Sequence, residues 1–331
     1  MATTPALRDA YNGILPKVSA FYSAIPLHAG LWKALTDFAA TDEARALEGP
    51  RARLLERTLD DFRRHGAELD AEGKARISAI DVEMATLTNT FSQHVLDATN
   101  AYELIVTDEA RLSGLPASAK AAARASAKGK GKEGFRFTLQ APSVTPVLMY
   151  ADDASLRREI WEAFTRRGTA PPHDNQPLIA DILRLRREKA NLLGYKDFSD
   201  LVLSERMAKD GASAAAFVER LREETAPHAA RESAELLAFR KTVDGGETLA
   251  PWDVSYFAEK ERQALYDFDE EELRPYFPAK SVLEGVFQTV QTLYNVRFER
   301  TTLPTWNEDV QTYRMVDESG AHRGSFYVDL Y

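Results

Sequence analysis

The chain has 331 residues, of which 44% are hydrophobic and 28% are charged, a composition ordinary for a folded globular protein. Its formal net charge of −9 at pH 7 argues against general binding to nucleic acids or anionic membranes, because phosphate groups are held by clustered Lys and Arg. The absence of cysteine excludes disulfide bonds, thiolate zinc sites and cysteine nucleophiles.

The N-terminal region predicts short helices rather than a targeting segment. No basic stretch is followed by an apolar one, as a secretory signal requires, and no apolar run reaches the ~18 residues of a membrane span. We therefore expect a cytoplasmic protein without nucleic-acid or membrane partners. Helical patterns occupy residues 7–23, 31–38 and 51–63, which are separated by glycine and proline.

The clearest element is a long helix predicted over residues 71–105, which contain no proline. Its apolar side chains recur at spacings of three and four, as in a helix with one buried face. The side chains of this seam are Ile77, Ile80, Met84, Leu87 and Phe91. We expect all five to be buried against other helices.

The middle of the chain changes its period twice. An alanine- and lysine-rich helix is predicted over residues 117–128, and it should be exposed because it has almost no apolar face. Phe135, Phe137 and Leu139 then alternate with polar residues, which predicts a half-buried strand over residues 135–139.

Helical patterns return in the second half of the chain. They cover residues 156–164, 178–192, 217–243, 252–266 and 282–294. Gly194 suits a C-terminal cap of the second of these helices. Pro227 should kink or break the third one, because proline lacks the N–H that the helix needs.

The last part of the chain switches to strands. Residues 310–316 and 325–330 alternate in polarity, and Gly320 lies in the connection between them, which predicts a β-hairpin. The second strand runs to Tyr331 with apolar residues at its tip. Since an exposed apolar edge invites aggregation, we expect the natural polypeptide to continue beyond it.

No complete catalytic or metal-binding motif is present in the sequence. A zinc hydrolase helix of the H-E-x-x-H type needs two histidines at i and i+4, so that both imidazoles lie on one face. None of the six histidines is followed by Glu, and no two lie within five residues of each other. The sequence also lacks the G-x-S-x-G, phosphate-loop and dinucleotide-binding motifs.

Two weaker sites remain as candidates. Glu224, His228 and Glu232 are spaced at i, i+4 and i+8 on one predicted helical face, which could bind a metal with help from a second helix. A solvated polar face is the interpretation that we favour for them. His94 lies beside the apolar seam, and we favour a packed histidine over a catalytic base.

Five segments, taken in order, resemble the M3 family of zinc-dependent oligopeptidases and in particular its oligopeptidase A branch. No single segment is a mechanistic fingerprint, but together they span nearly the whole chain. They are residues 89–107 (NTFSQHVLDATNAYELIVT), 192–208 (LLGYKDFSDLVLSERMA), 251–257 (PWDVSYF), 273–278 (LRPYFP) and 324–331 (GSFYVDLY).

The resemblance implies a mainly α fold, namely a multi-helix lobe of a two-lobed channel peptidase with small β-hairpins near residues 135–139 and at the C-terminus. Residues 1–305 would form the helical lobe and channel wall, and residues 306–331 the hairpin that begins the sheet beside the catalytic region. The implied substrates are short peptides. The channel-lining candidates on the last strand are Phe326, Tyr327, Asp329 and Tyr331.

In that family the H-E-x-x-H helix, the third zinc ligand and the catalytic tyrosines follow the segment that resembles GSFYVDLY. No catalytic or metal-binding residue of the family can therefore be carried onto this sequence. We expect zinc in the parent enzyme but none on this chain, and we expect the chain alone to be inactive. Its partner would be the missing C-terminal catalytic region of the same polypeptide.

Two other functions remain open at this stage. The chain could be a free-standing helical scaffold or peptide-binding module without catalysis. It could also be a metal protein built on Glu224, His228 and Glu232.

Overall fold

A computed structural model describes residues 4–267 and 270–330. This part of the chain is mainly helical and carries two small antiparallel sheets, which confirms the predicted fold class. It divides into two compact units, Asp9–Glu261 and the combination of Met1–Arg8 with Arg262–Tyr331. Among the described residues, no helix has both the length and the apolar composition needed to cross a membrane.

The first half of the chain begins with four helices and then the long helix α5. Their bounds are α1 Pro5–Leu27, α2 Ala29–Ala39, α3 Asp42–Arg45, α4 Gly49–Arg64 and α5 Ala71–Ala101. Asp70 caps α5, since its carboxylate accepts a hydrogen bond of 2.8 Å from the Gly73 N–H. The helix predicted over residues 71–105 is thus present, but it ends before Tyr102.

The apolar seam of α5 is less buried than its spacing predicts. Ile77 and Ile80 are completely buried, whereas Met84, Leu87 and Phe91 are only half-buried. Polar contacts flank this half of the helix, because Asn12 on α1 accepts hydrogen bonds from Asn89 and Gln93. The expectation that all five side chains are buried is therefore wrong for three of them.

The main core lies around a two-stranded sheet. Strand β1 (Leu104–Val106) pairs antiparallel with β2 (Phe135–Phe137). The strand predicted over residues 135–139 is thus present as β2, and its partner β1 lies before helix α6 (Ala117–Gly129) in the sequence. Helices α7 (Ala141–Tyr150) and α8 (Ala154–Thr165) complete the cluster. Its fully buried members include Leu112, Val147, Leu156 and Ile160.

Helix α6 is exposed over most of its residues, as expected, but one face of it is buried. Ala123 and Ala127 are buried, and the guanidinium of Arg124 lies 4.7 Å from the ring centre of Phe135. Alanine side chains are small enough to let the helix approach β2 closely, so an alanine-rich face packs well without large apolar residues.

Four more helices follow, and the last of them extends beyond Glu261, where this unit ends. They are α9 Gln176–Leu192, α10 Phe198–Leu203, α11 Gly211–Asp244 and α12 Val254–Tyr266. Gly194 has a φ of +80°, as expected for the residue that ends α9. Helix α11 is continuous through Pro227, which corrects the predicted break, and residues 215–235 are all exposed. Because the region around Pro227 faces solvent, water can hydrate the backbone carbonyl that loses its donor.

The C-terminal region contains a short 3₁₀ segment (Glu270–Tyr276), helix α13 (Ala279–Tyr294) and a three-stranded antiparallel sheet. The sheet order is β3 (Val296–Thr301), β4 (Gln311–Asp317) and β5 (His322–Val328). The predicted hairpin is confirmed as β4 and β5, whereas β3 was not predicted.

Candidate functional site

The C-terminal sheet ends on an edge strand. Strand β5 pairs with β4 on one side, and no strand of the described chain pairs with its other side. The register places Tyr313 opposite Phe326 and Thr312 opposite Tyr327. An edge of this kind presents backbone N–H and C=O groups that an added extended peptide can pair with.

The two faces of β5 differ in what they contact. Phe326 lies in an aromatic cluster in which its ring centre is 5.6 Å from that of Phe298, 5.7 Å from that of Tyr313 and 6.0 Å from that of Phe287 on α13. Edge-to-face and stacked contacts at these distances stabilise a core. The structure therefore places Phe326 in the packing between α13 and the sheet.

Tyr327 lies on the opposite face, because side chains alternate along a strand, and Asp329 directly follows the end of β5. Tyr327 is 43% exposed, and its ring centre is 5.2 Å from that of Trp306, which comes from the loop between β3 and β4. The indole Nε1 of Trp306 donates a hydrogen bond of 3.0 Å to Asp329 Oδ2. The fourth channel candidate, Tyr331, lies outside the described residues.

The metal candidate on α11 remains a solvated face. Glu224 forms an ion pair with Arg220 at 3.8 Å, and His228 Nδ1 lies 3.1 Å from a guanidinium nitrogen of Arg231. Within residues 4–267 and 270–330, no group of three or more His, Asp or Glu side chains could hold a metal ion. These residues therefore do not fit a zinc site.

His94 is held by a structural contact. Its Nδ1 lies 2.8 Å from Asn175 Oδ1, and the amide Nδ2 of Asn175 donates a hydrogen bond of 3.1 Å to the Phe91 carbonyl. Asn175 is buried. Its backbone N–H also donates a hydrogen bond of 2.9 Å to the Gly168 carbonyl, which closes the loop before α9. This geometry supports a packed histidine that ties the loop to α5.

A buried ion network between α8, α11 and the start of α12 was not predicted from the sequence. Arg157 and Asp253 are both almost fully buried, and a guanidinium nitrogen of Arg157 lies 2.6 Å from Asp253 Oδ1. The other carboxylate oxygen of Asp253 accepts a hydrogen bond of 2.8 Å from Arg240. The guanidinium of Arg157 also stacks 4.0 Å from the ring centre of Tyr256. The sequence did contain a signal for this network, because Asp253 and Tyr256 both lie in the segment PWDVSYF (residues 251–257), which resembles the M3 family.

Asp152 extends this network towards the surface. Burial opposes ionisation of its carboxyl, but hydrogen bonds from Ser113 and Tyr256 and the charge of Lys260 outweigh burial, so the pKa of Asp152 is lowered. The pKa of Tyr256 is raised, first by burial and then by its hydrogen bond to Asp152. These groups hold one another in place and leave Asp152 ionised.

The sequence of this chain is similar to a known peptidase family and to several of its members. Residues 147–331 match the sequence model of peptidase family M3. The chain is 37% identical over 334 residues to proteins named oligopeptidase A from Salmonella typhimurium and Escherichia coli, covering 99% of this chain and 49% of each relative. It is 30% identical over 293 residues to dipeptidyl carboxypeptidase of Escherichia coli, covering 87% of this chain and 43% of that protein. The chain thus spans about half the length of the curated relatives it matches.

Proposed function

Because this chain belongs to peptidase family M3, we propose that it supplies the helical lobe and channel wall of a zinc-dependent oligopeptidase that hydrolyses short peptides. In this proposal residues 1–305 are the lobe, and residues 306–331 begin the sheet beside the catalytic region. The similarity to oligopeptidase A over nearly the whole chain supports the assignment. The location would be cytoplasmic, without nucleic-acid or membrane partners.

The observation that carries the proposal is the sequence match, in which residues 147–331 fit the family model and 99% of the chain aligns at 37% identity with proteins named oligopeptidase A. Tyr327 and Asp329 would contact the peptide from the exposed face of the strand. Phe326 would support the strand from its packed face, and Tyr331 remains a channel candidate by resemblance.

Zinc and the catalytic groups would come from elsewhere in the enzyme. The sequence has no H-E-x-x-H motif, and the described residues include no cluster that could ligate a metal. The proposed partner of this chain is accordingly a C-terminal catalytic region of the same polypeptide. Reading the coding sequence beyond the codon for Tyr331 tests this directly, because it should continue into an H-E-x-x-H motif.

A peptide-binding module without catalysis is the second candidate, since an edge strand can bind peptides in the absence of any catalytic group. A stop codon directly after Tyr331 would favour this alternative. Both candidates predict peptide binding, so binding by itself does not separate them.

We predict that the purified 331-residue chain hydrolyses no short peptide and binds no stoichiometric zinc, because its described histidines and carboxylates form no ligand set. The measurement is cleavage of an internally quenched peptide with and without added zinc, together with metal analysis. A full-length protein that includes the downstream sequence is the positive control. Zinc near one ion per chain, lost together with activity on chelation, would contradict the prediction.

A further inference from the structure

Helix α1 carries a row of exposed apolar side chains along one side, which we call the α1 stripe. The exposed fraction of these residues ranges from 38% to 65%. They recur at spacings of three and four, so they line about four turns of one helix face. The stripe consists of Tyr11, Ile14, Val18, Phe21, Tyr22 and Ile25. Apolar patches of this extent on a protein surface mark sites of interaction.

Helix α1 is held against α5 by polar groups. Ser23 is buried, and its hydroxyl donates a hydrogen bond of 2.9 Å to Asp81 Oδ2 on α5. The hydroxyl of Ser19 donates a hydrogen bond of 3.3 Å to the backbone carbonyl of Asp81. An amphipathic helix usually packs its apolar face against its own core, whereas the α1 stripe stays exposed while polar side chains make these contacts. The stripe therefore has the composition of a buried face without the burial.

The spacing of the stripe indicates a second helix as its partner. The steps from Tyr11 to Ile14, Val18, Phe21 and Ile25 alternate between three and four residues, as in the seam along which two helices pack. A membrane surface fits less well, because helices that lie on a membrane carry many Lys and Arg on their polar face. Helix α1 contains one Arg and one Lys among its 23 residues.

The length of the stripe bears on where this second helix comes from. The seam covers only about two heptads, and a contact this short holds two separate chains together weakly, because short helices are marginal on their own. A helix of the same polypeptide needs much less affinity, since tethering gives it a high effective concentration. The matched region makes up 49% of each relative named oligopeptidase A, so those proteins contain ample further chain.

We propose that the α1 stripe is the docking surface for a helix of the same polypeptide that lies outside residues 1–331. This inference rests on the proposed function, because it takes the chain as part of a longer enzyme. The docked helix would present apolar side chains at the same spacing and would cover Val18 at the centre of the stripe. The neighbouring Lys17, which is exposed but lies outside the stripe, would remain in water.

The experiment is maleimide labelling of single thiols, which suits a 331-residue sequence without cysteine. Val18→Cys and Ile14→Cys each place a thiol on the stripe, and Lys17→Cys is the matched control beside it. Each substitution is made in the 331-residue chain and in the full-length protein that the coding sequence encodes. Mass spectrometry of the α1 peptide gives the labelling rate, which is divided by the rate in the urea-unfolded protein to remove differences in intrinsic reactivity.

The three thiols should react at similar normalised rates in the 331-residue chain. In the full-length protein the two stripe thiols should react at least about tenfold more slowly, because labelling then requires local opening, and the Lys17→Cys thiol should not slow down. The second stripe position guards against a substitution that itself prevents docking. Protection without any cleavage of short peptides would support the inference and contradict the proposed function.

Four other outcomes overturn the inference. Equal labelling of all three positions in a full-length protein that cleaves short peptides would contradict the docking surface and leave the proposed function intact. Slow labelling of the stripe in the 331-residue chain at every protein concentration would show that this chain already covers it. Protection that grows with the concentration of the 331-residue chain would assign the stripe to a second copy. Protection that requires added phosphatidylglycerol vesicles would assign it to a membrane surface.

Discussion

The buried network around Arg157 and the exposed cluster around Trp306 use the same kinds of groups in opposite ways. In the network, Arg157 stacks on Tyr256 and pairs with Asp253, so the aromatic face and the carboxylate are both satisfied within the chain. In the exposed cluster, Trp306, Tyr327 and Asp329 provide two aromatic faces and a carboxylate without a cation from the described residues. The first arrangement is buried and paired within the chain, whereas the second is half-exposed.

This contrast predicts that removing the acidic group strongly lowers the free energy of unfolding in the network and hardly changes it in the exposed cluster. Asp253→Asn should lower the free energy of unfolding by about 3–5 kcal/mol, because it leaves the charge of Arg157 buried without its counterion. Asp329→Asn should change it by less than about 0.5 kcal/mol, because the side chain is exposed. Urea unfolding of both variants measures the two values.

A control separates burial from mere loss of an ion pair. Glu299→Gln removes an exposed pair with Arg314 and should cost only about 0–1 kcal/mol. If Asp253→Asn lowers the free energy of unfolding no more than Glu299→Gln does, burial does not make the ion pair between Arg157 and Asp253 important for stability.

A second comparison sets the two faces of β5 against each other. Phe326→Leu should cost about 0.5–1.5 kcal/mol, because it removes aromatic contacts with Phe298 and Tyr313 while keeping an apolar side chain. Tyr327→Leu should cost less than about 0.5 kcal/mol, because Tyr327 is half-exposed and has a single aromatic neighbour. Thermal and urea unfolding test the difference, and equal costs would mean that both faces contribute to the core.

The smallest expected effect concerns Asp317, an acidic residue that is satisfied within the sheet. Hydrogen bonds from Ser319 and from the Ala321 N–H, together with Arg323, lower the pKa of Asp317 to about 2. Since the pKa is lowered on folding, the stabilisation is present above the unfolded value of ~3.9 and is lost as the pH falls through about 2.

The difference in stability between the wild type and Asp317→Asn should therefore shrink as the pH falls from ~4 towards 2. NMR titration of the Asp317 carboxyl measures its pKa directly. A midpoint near 4 would show that the turn does not hold the carboxylate in its ionised form.

The sequence predicted the elements whose signals are local. Helices α8 and α9 follow from the spacing of their apolar residues, and Gly194 marks the end of α9 through its positive φ. The hairpin of β4 and β5 follows from alternation around a turn with Gly320. Strand β3 was missed because Arg300 interrupts the apolar alternation that starts at Val296 and Phe298.

The candidate site depends on contacts between distant positions, which a local pattern does not contain. Asp253 meets Arg157 across 96 residues, and Trp306 meets Asp329 across 23 residues. Tyr327 and Asp329 could be named from the family resemblance, but Trp306 could not, because only the fold brings its loop back onto β5. Burial of the α5 seam was overestimated for the same reason, since spacing identifies a face but does not show how completely neighbours cover it.

In the described part of the chain, helix α11 contacts its neighbours near its two ends. At one end the Gly211 N–H donates a hydrogen bond of 2.8 Å to Asp200, and at the other Arg240 donates a hydrogen bond to Asp253. The 34 residues of α11 span about 51 Å at 1.5 Å per residue, and residues 215–235 are all exposed among the described residues. Axial hydrogen bonds resist its shortening, but the ladder lacks a donor at Pro227. This helix should therefore bend most easily at Pro227, which lies close to its midpoint.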